Sequence, residues 1–357
     1  MKIAIDISPL KKDNFLQHRV RGTGFYIENL KKSLLKYYTK NQYIFYTRGE
    51  ILPSDIDIVH VPYFEPFFLT LPSTKKYKTI ITVHDLTPLV FPKYFPIGIK
   101  GKLKWEIQKN RLKNADRIIT DSESSKKDII KHVGIPEERI TVVYLAAGEE
   151  FRDRGNESEN LQIKPRDLKQ KYNLPEKFVL YVGDVTWNKN LPRLLKAIKK
   201  TNIPLVMVGK ALVQKDFDKT NPWNQDLMEV QQGVAQNKKI ICLGFVSSED
   251  LRILYNIATV FVMPSIYEGF GLPIVEAMTC GLPIITTKEG SLPEVAGNAA
   301  LYVNAYDEES LSKGISKLFF DKELQKDLVR KGFDQVKKFS WRKTAEATMR
   351  TYEKTYK

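Results

Sequence analysis

Short runs of β-branched and aromatic residues alternate with longer amphipathic runs along the whole chain, and the alternation restarts once near the middle. This is the pattern of a parallel sheet with helices on both faces, because parallel strands need a long crossover to return to the same edge. In the first half KIAIDIS, NQYIFYT, DIVHV, KTIITVHD, DRIITDS and ITVVYLA read as strands, FYIENLKKSLLKYY as a helix, and SSKKDIIKHVG as a helix ending on Gly134. In the second, FVLYVG, PLVMVG, KIICLG, TVFVMP, LPIITT and ALYV alternate with the helices NLPRLLKAIKK, SSEDLRILYNIA, LPIVEAMTCG and DEESLSKGISKLFF. Ser247 with Asp250 supplies a helix cap, and Leu272-Pro273 puts proline in a first turn. Residues 152–170 lose the apolar periodicity and read as a linker. At 357 residues the chain exceeds the ~250 that one core usually supports. The expected fold is α/β, with two Rossmann-like domains facing each other across a cleft, over 1–160 and 171–335, and a final helix at 336–357 packing back toward the first. Ligands of such sheets bind beyond the carboxyl ends of the strands.

Charge narrows the function classes. The net charge is +15, yet residues 1–160 hold 27 Lys/Arg against 20 Asp/Glu and the remainder 30 against 22, so the excess is spread evenly. A nucleic-acid binder concentrates charge on one face, and that class is disfavoured. The main local cluster, Lys100, Lys102, Lys104, Lys109, Arg111 and Lys113 around Trp105, reads as a solvated helix face ahead of an anionic membrane contact. Cys242 and Cys280 lie in apolar segments without metal-ligand spacing, so neither a disulfide framework nor a zinc site is expected. The opening MKIAIDIS runs straight into a strand, and no stretch reaches the ~20 apolar residues of a spanning helix. A cytoplasmic protein, at most peripheral at the inner face of a membrane, is expected. Two Asp-x-Asp pairs, Asp55/Asp57 and Asp216/Asp218, fall at the amino end of a strand and in a polar loop, so no metal is expected.

The most informative segment is SIYEGFGLPIVEAMTCGLPIITT, residues 265–287. A strand ends at Pro264, the turn Glu268-Gly269-Phe270-Gly271 follows, and a helix from Leu272 carries Glu276. Glycines admit close backbone approach, and the free N–H groups of a helix start favour phosphate. Two glutamates would repel that anion unless they accept hydrogen bonds from neutral hydroxyls, which sugars and ribose offer in pairs. Spacing alone leaves a turn with two solvated glutamates equally open.

Glu268 and Glu276, with seven residues between them in EGFGLPIVEAM, resemble the paired glutamates of retaining GT-B glycosyltransferases of family 4, a group that includes bacterial mannosyltransferases. RGTGFY, TVHDL, ADRIITDSESSKKDI, YVGDVTWNKNL, LGFVSSEDL, GSLPEVAGNAALYV and FSWRKTA extend the resemblance over nearly the whole chain. It implies a hexosyltransferase that moves a sugar, mannose from GDP-mannose as first choice, from a nucleotide-sugar to a glycan or lipid-linked acceptor in polysaccharide biosynthesis. The first domain would serve the acceptor and the second the donor, with no cofactor. A sugar-nucleotide epimerase or an impaired nucleotide-sugar binder would share the fold.

Roles follow by position. Glu276 would hold the donor ribose and Glu268 the transferred sugar; Gly269, Phe270, Gly271 and Leu272 would offer backbone N–H groups. Gly183 and Lys189, in the loop after FVLYVG, would meet the diphosphate, with Val246 at the base. In the first domain Gly22, Thr23 and Gly24 would approach the diphosphate and His84 the donor sugar. One departure stands out: where the family commonly has an arginine in the diphosphate loop, this chain has Asp184 and Asn188, leaving Arg21, Arg193 or Lys210 as replacements.

Overall fold

A computed structural model of the chain describes residues 1–11, 20–151 and 165–357; the side chain of Arg21 and residues 152–164 of the expected linker lie outside the described residues. In chain order the first strands and helices are β1 (Lys2–Asp6), α1 (Val20–Tyr37), β2 (Gln42–Tyr46), β3 (Ile58–Val61), β4 (Lys78–Thr82), α2 (Thr87–Val90), α3 (Ile99–Lys113), β5 (Arg117–Thr120), α4 (Glu123–Asp128) and β6 (Ile140–Val142). Next come α5 (Pro165–Lys171), β7 (Val179–Val182), α6 (Leu191–Thr201), β8 (Leu205–Val208), α7 (Gln225–Ala235), β9 (Ile240–Cys242), α8 (Ser248–Ile257), β10 (Val260–Met263) and α9 (Leu272–Thr279). The chain closes with β11 (Ile284–Thr287), α10 (Leu292–Ala296), β12 (Ala300–Val303), α11 (Glu308–Phe320), α12 (Lys322–Val336) and α13 (Trp341–Tyr356). They form two compact units, Met1–Ala146 with Phe339–Lys357, and Ala147–Lys338.

The first unit is a six-stranded sheet in the order β2-β1-β3-β4-β5-β6, parallel throughout. The central strand β3 is buried along its whole length, as the run IVHV requires. Helix α13 belongs to this unit: Trp341, Ala345, Met349 and Tyr352 are buried, a spacing of three to four residues that lines one helix face. The helix after β5 runs through α4, widens into a π-turn at Ile129–Val133 and stops at Gly134, whose φ of 78° suits glycine. Asp57 accepts from the Lys2 amide at 2.7 Å and Asp55 pairs with the Lys2 ammonium at 2.7 Å, so both carboxylates serve the amino end of the sheet.

The second unit is parallel in the order β12-β11-β10-β7-β8-β9. Strand order reverses between β10 and β7, which makes the ends of those two strands the switch point where a crevice opens. β7, β8, β10 and β11 are buried on both faces. Leu191, Leu194, Leu195 and Ile198 of α6 close one side of the core. Ser247 caps α8 by accepting from the Asp250 amide at 3.0 Å. The structure corrects the linker's far end: Pro165–Lys171 is helical, not linker, and buries Leu168 completely. With one apolar residue in two turns it carries no visible period. Asp250 holds it by accepting from Lys171 at 2.7 Å and from Tyr172 at 2.6 Å.

Candidate functional site

The loop after β7 contains Gly183 and a short turn, Trp187–Lys189. Asn188 is buried and pins this turn to the loop after β10: its side chain donates to the Tyr267 carbonyl at 2.9 Å, and its own carbonyl accepts from the Ile266 amide at 2.7 Å. Asn190, with φ of 59°, donates to the carbonyls of Pro264 (2.9 Å) and Ala305 (2.7 Å). These bonds fix where Lys189 points. Its ammonium lies 2.8 Å from each carboxylate oxygen of Glu268, and Ser265 donates to the same carboxylate at 2.6 Å. The pair joins the ends of β7 and β10 at the switch point, with side chains only 19% and 9% exposed.

The Glu268 turn is held from its other side by the loop after β11. Ser291 bonds the Glu268 carbonyl through its amide (3.2 Å) and hydroxyl (2.9 Å), and the hydroxyl lies 2.8 Å from the Phe270 carbonyl. Gly290 has φ of 56°, and a Cβ there would fall 2.9 Å from backbone atoms of Glu268. Gly271, with φ of 99°, caps α9. Of the N–H groups at that helix start, Pro273 supplies none and that of Ile274 is taken by the Gly271 carbonyl at 2.9 Å. Gly269, Phe270 and Leu272 stand in the same turn.

Glu276 has separate partners. Tyr255 on α8 donates to it at 2.8 Å, and burial pushes its carboxyl up to about 8, against the pull of that bond and with the nearby Glu150 carboxylate adding to the rise. The resemblance has Glu276 accepting from the ribose as a carboxylate; burial favours its protonated form in the free protein. Val246, beyond β9, is buried beside the largely exposed Phe245. Of the proposed replacement cations, Arg193 bonds Asn190 and the Ala305 carbonyl (3.1 Å), knitting α6 to the loop after β12. Lys210 is exposed just beyond β8.

In the first unit Gly22, Thr23 and Gly24 lie in the opening turn of α1, and a Cβ on Gly22 would meet nothing within 4 Å. His84 lies just beyond β4, with Nδ1 2.6 Å from Oδ2 of Asp121, which follows the adjacent strand β5. Burial is the largest influence and opposes charge on His84, but the Asp121 carboxylate, Asp85 and the Pro62 carbonyl together outweigh it and raise its pKa. Nε2 of His84 and Oδ1 of Asp121 are buried without partners. His60 on β3 is the contrast: it is fully buried, bonded to Tyr352 and Thr82 at 2.8 Å each, and burial pushes its pKa down to about 3, so it is a neutral core histidine. Asp121 and Tyr255 were missed in the sequence. A signal existed for Asp121, since it occupies in DRIITDS the strand-end place that His84 occupies in KTIITVHD.

Among the described residues no group of three or more His, Cys, Asp or Glu is arranged to hold a metal ion, and no helix is long and apolar enough to cross a membrane. Residues 165–335 match the model of glycosyl transferases group 1, and residues 9–147 that of Glycosyltransferase Family 4. The chain is 31% identical over 285 residues to O-antigen chain mannosyltransferase B of Escherichia coli, covering 77% of this chain and 70% of that protein. It is 29% identical over 302 residues to the serotype-specific mannosyltransferase WbdA of Escherichia coli, of whose length the match spans only 36%. Among solved structures, sucrose-phosphate synthase from Thermosynechococcus elongatus superposes with a TM-score of 0.74 at 19% identity, covering 99% of this chain and 98% of that one. Anabaena HepE in complex with UDP-glucose gives 0.72 at 16%, covering 99% and 100%.

Proposed function

For a chain that belongs to the GT-B glycosyltransferases of family 4, and so takes a nucleotide-sugar donor and a glycan acceptor, we propose the transfer of mannose from GDP-mannose with retention of anomeric configuration. The mannosyltransferase relatives support the sugar. The observation that carries the reading is the buried Lys189–Glu268 pair at the ends of β7 and β10. It supplies a cation for a diphosphate and, beside it, an acceptor for sugar hydroxyls. In the free protein each neutralises the other, so donor binding exchanges partners: Lys189 turns to the phosphate oxygens and Glu268, still bonded by Ser265, accepts from the sugar.

In the reaction the bond from the anomeric carbon to the diphosphate oxygen breaks, and its electron pair leaves with the nucleoside diphosphate. An acceptor hydroxyl oxygen bonds the same carbon on the same face, and its proton passes to the leaving phosphate oxygen. Lys189 stabilises the charge that grows on that oxygen, so no metal is required. Glu276 accepts from the ribose hydroxyls, and His84 contacts the sugar through Nε2. The exposed Ile99 and Leu103 beside Lys100 and Lys102 on α3 favour a peripheral place on an anionic membrane surface, with a lipid-linked glycan as acceptor.

Thermal unfolding in the presence of GDP, GDP-mannose, UDP and UDP-glucose tests the donor. At 100 times its dissociation constant a ligand adds about 2.7 kcal/mol. The guanine ligands should give the larger shift, and an equal or larger shift with the uracil ligands would overturn the assignment.

A further inference from the structure

His84 and Asp121 stand at the carboxyl ends of neighbouring parallel strands, 37 positions apart in the chain and 2.6 Å apart in space. Burial raises the pKa of Asp121 against the pull of His84; the imidazole is the more basic partner of the contact, so the proton sits on Nδ1 of His84 and Asp121 accepts. The backbone locks the pair: the Ser125 hydroxyl donates to the His84 carbonyl at 3.0 Å, and Ser125 belongs to the helix that follows Asp121. On the other side the ring meets Tyr26 edge-on, with centroids 5.0 Å apart. Held so, the imidazole has one polar atom left, Nε2, and that atom is buried with no partner. A fold does not ordinarily leave such an atom unpaired, and His60 shows how the same sheet satisfies a histidine that is purely structural.

We propose that Asp121 is the positioning residue of this centre: by holding the Nδ1 proton it keeps His84 as an imidazolium whose Nε2–H donates a charged hydrogen bond to an oxygen of the donor sugar. This rests on the glycosyl-transfer reading. The proton stays on Nε2 throughout, and the bond orients the sugar at the reacting carbon, while the charge on the departing diphosphate oxygen is met by Lys189. Burial opposes charge on the ring, and Asp121 beyond β5, Asp85 in its own loop and the Pro62 carbonyl favour it; the facing His60 on β3 is neutral and the buried Tyr26 hydroxyl on α1 un-ionised. Two carboxylates and a backbone carbonyl thus act against burial to keep the proton.

The test joins imidazole nitrogen NMR of the wild-type protein, with His84 assigned by comparison with His84→Asn, to pH–rate profiles of wild type and Asp121→Asn. The expected spectrum has a proton on Nδ1 and on Nε2 at pH 7, with the second lost only above the ordinary histidine range near 6.5. Turnover should fall on the alkaline side with that same loss. In Asp121→Asn the limb should move at least one unit lower and turnover at pH 7.5 should fall ~10-fold or more, with the donor KM nearly unchanged. A neutral ring carrying its proton on Nε2 alone, or a limb that Asp121→Asn leaves in place, would overturn the proposal. The spectrum needs no variant at Asp121, so a misfolded Asp121→Asn leaves the question decidable. Absence of transfer by the wild type would refute the glycosyl-transfer reading, whereas the spectrum still judges the dyad.

Discussion

Replacing Glu276 by glutamine should raise the stability of the free protein and weaken its hold on nucleotide, and the pH dependence of the first effect can be worked from the site. The carboxyl is buried, Tyr255 donates to it at 2.8 Å, and its pKa stands at about 8 against an ordinary 4.5. The folded state therefore holds a proton that the unfolded chain releases, so stability is full below pH 4.5 and is lost as pH rises toward and through 8. At 1.36 kcal/mol per pKa unit the loss is at most about 5 kcal/mol, and relaxation around the charge brings it to roughly 2–4. Glutamine cannot ionise and can still accept from Tyr255, at a constant cost of about 1 kcal/mol for its amide N–H groups. Urea unfolding of both proteins at pH 5.5, 7 and 8.5, a window that holds about two thirds of the loss, should show the difference moving by about 1–3 kcal/mol in favour of the variant. Calorimetry with GDP at pH 8.5, where the wild-type carboxyl is largely ionised, should show binding weakened by ~1.5–3 kcal/mol, because ribose hydroxyls donate best to the ionised carboxylate. Stability curves that run parallel over this range would refute the buried-acid argument, and unchanged GDP affinity would remove the ribose from Glu276.

Three further outcomes follow. Exhaustive EDTA treatment should leave transfer intact, since Lys189 supplies the positive charge; a requirement for added magnesium or manganese would overturn this. Gly290→Ala should destabilise the protein by about 1–3 kcal/mol and cut transfer, because its left-handed backbone and the Glu268 main chain 2.9 Å away both exclude a Cβ; urea unfolding and initial rates measure the two effects. Flotation with vesicles containing anionic lipid should carry the protein at low salt and release it at high salt, and Ile99→Ser with Leu103→Ser should weaken binding by at least tenfold if these side chains insert.

The strands were legible because each is a short β-branched or aromatic run bounded by glycine, proline or polar residues, and all twelve among the described residues were read. Helices α2, α5, α7, α10 and α12 were not singled out: α2 and α10 are only about one turn long, α5 buries only Leu168, α7 buries Leu227 and Val230, and much of α12 faces water, so the apolar stripe is short or thin. The EGFG turn and the helix from Leu272 were readable from glycine and proline placement. The partners within the site were not, because they are set by the sheet order. Lys189 and Glu268 are 79 positions apart and meet only because β7 and β10 are neighbours across the switch point. Likewise nothing local to Glu276 announces its burial or its bond from Tyr255, which stands 21 positions away on α8.

The central claim, that a mannosyl group moves from GDP-mannose with its anomeric configuration retained, is tested most directly by NMR of the product. The reaction would use GDP-α-mannose labelled with carbon-13 at the anomeric carbon and a lipid-linked oligosaccharide ending in mannose, with Lys189→Met as control. The account predicts a labelled α-mannosyl product, with the one-bond carbon–hydrogen coupling of an α-linkage, and a loss of ~10²-fold or more in the control. A β-linked product, labelled mannose released only to water, or full activity in Lys189→Met would contradict it.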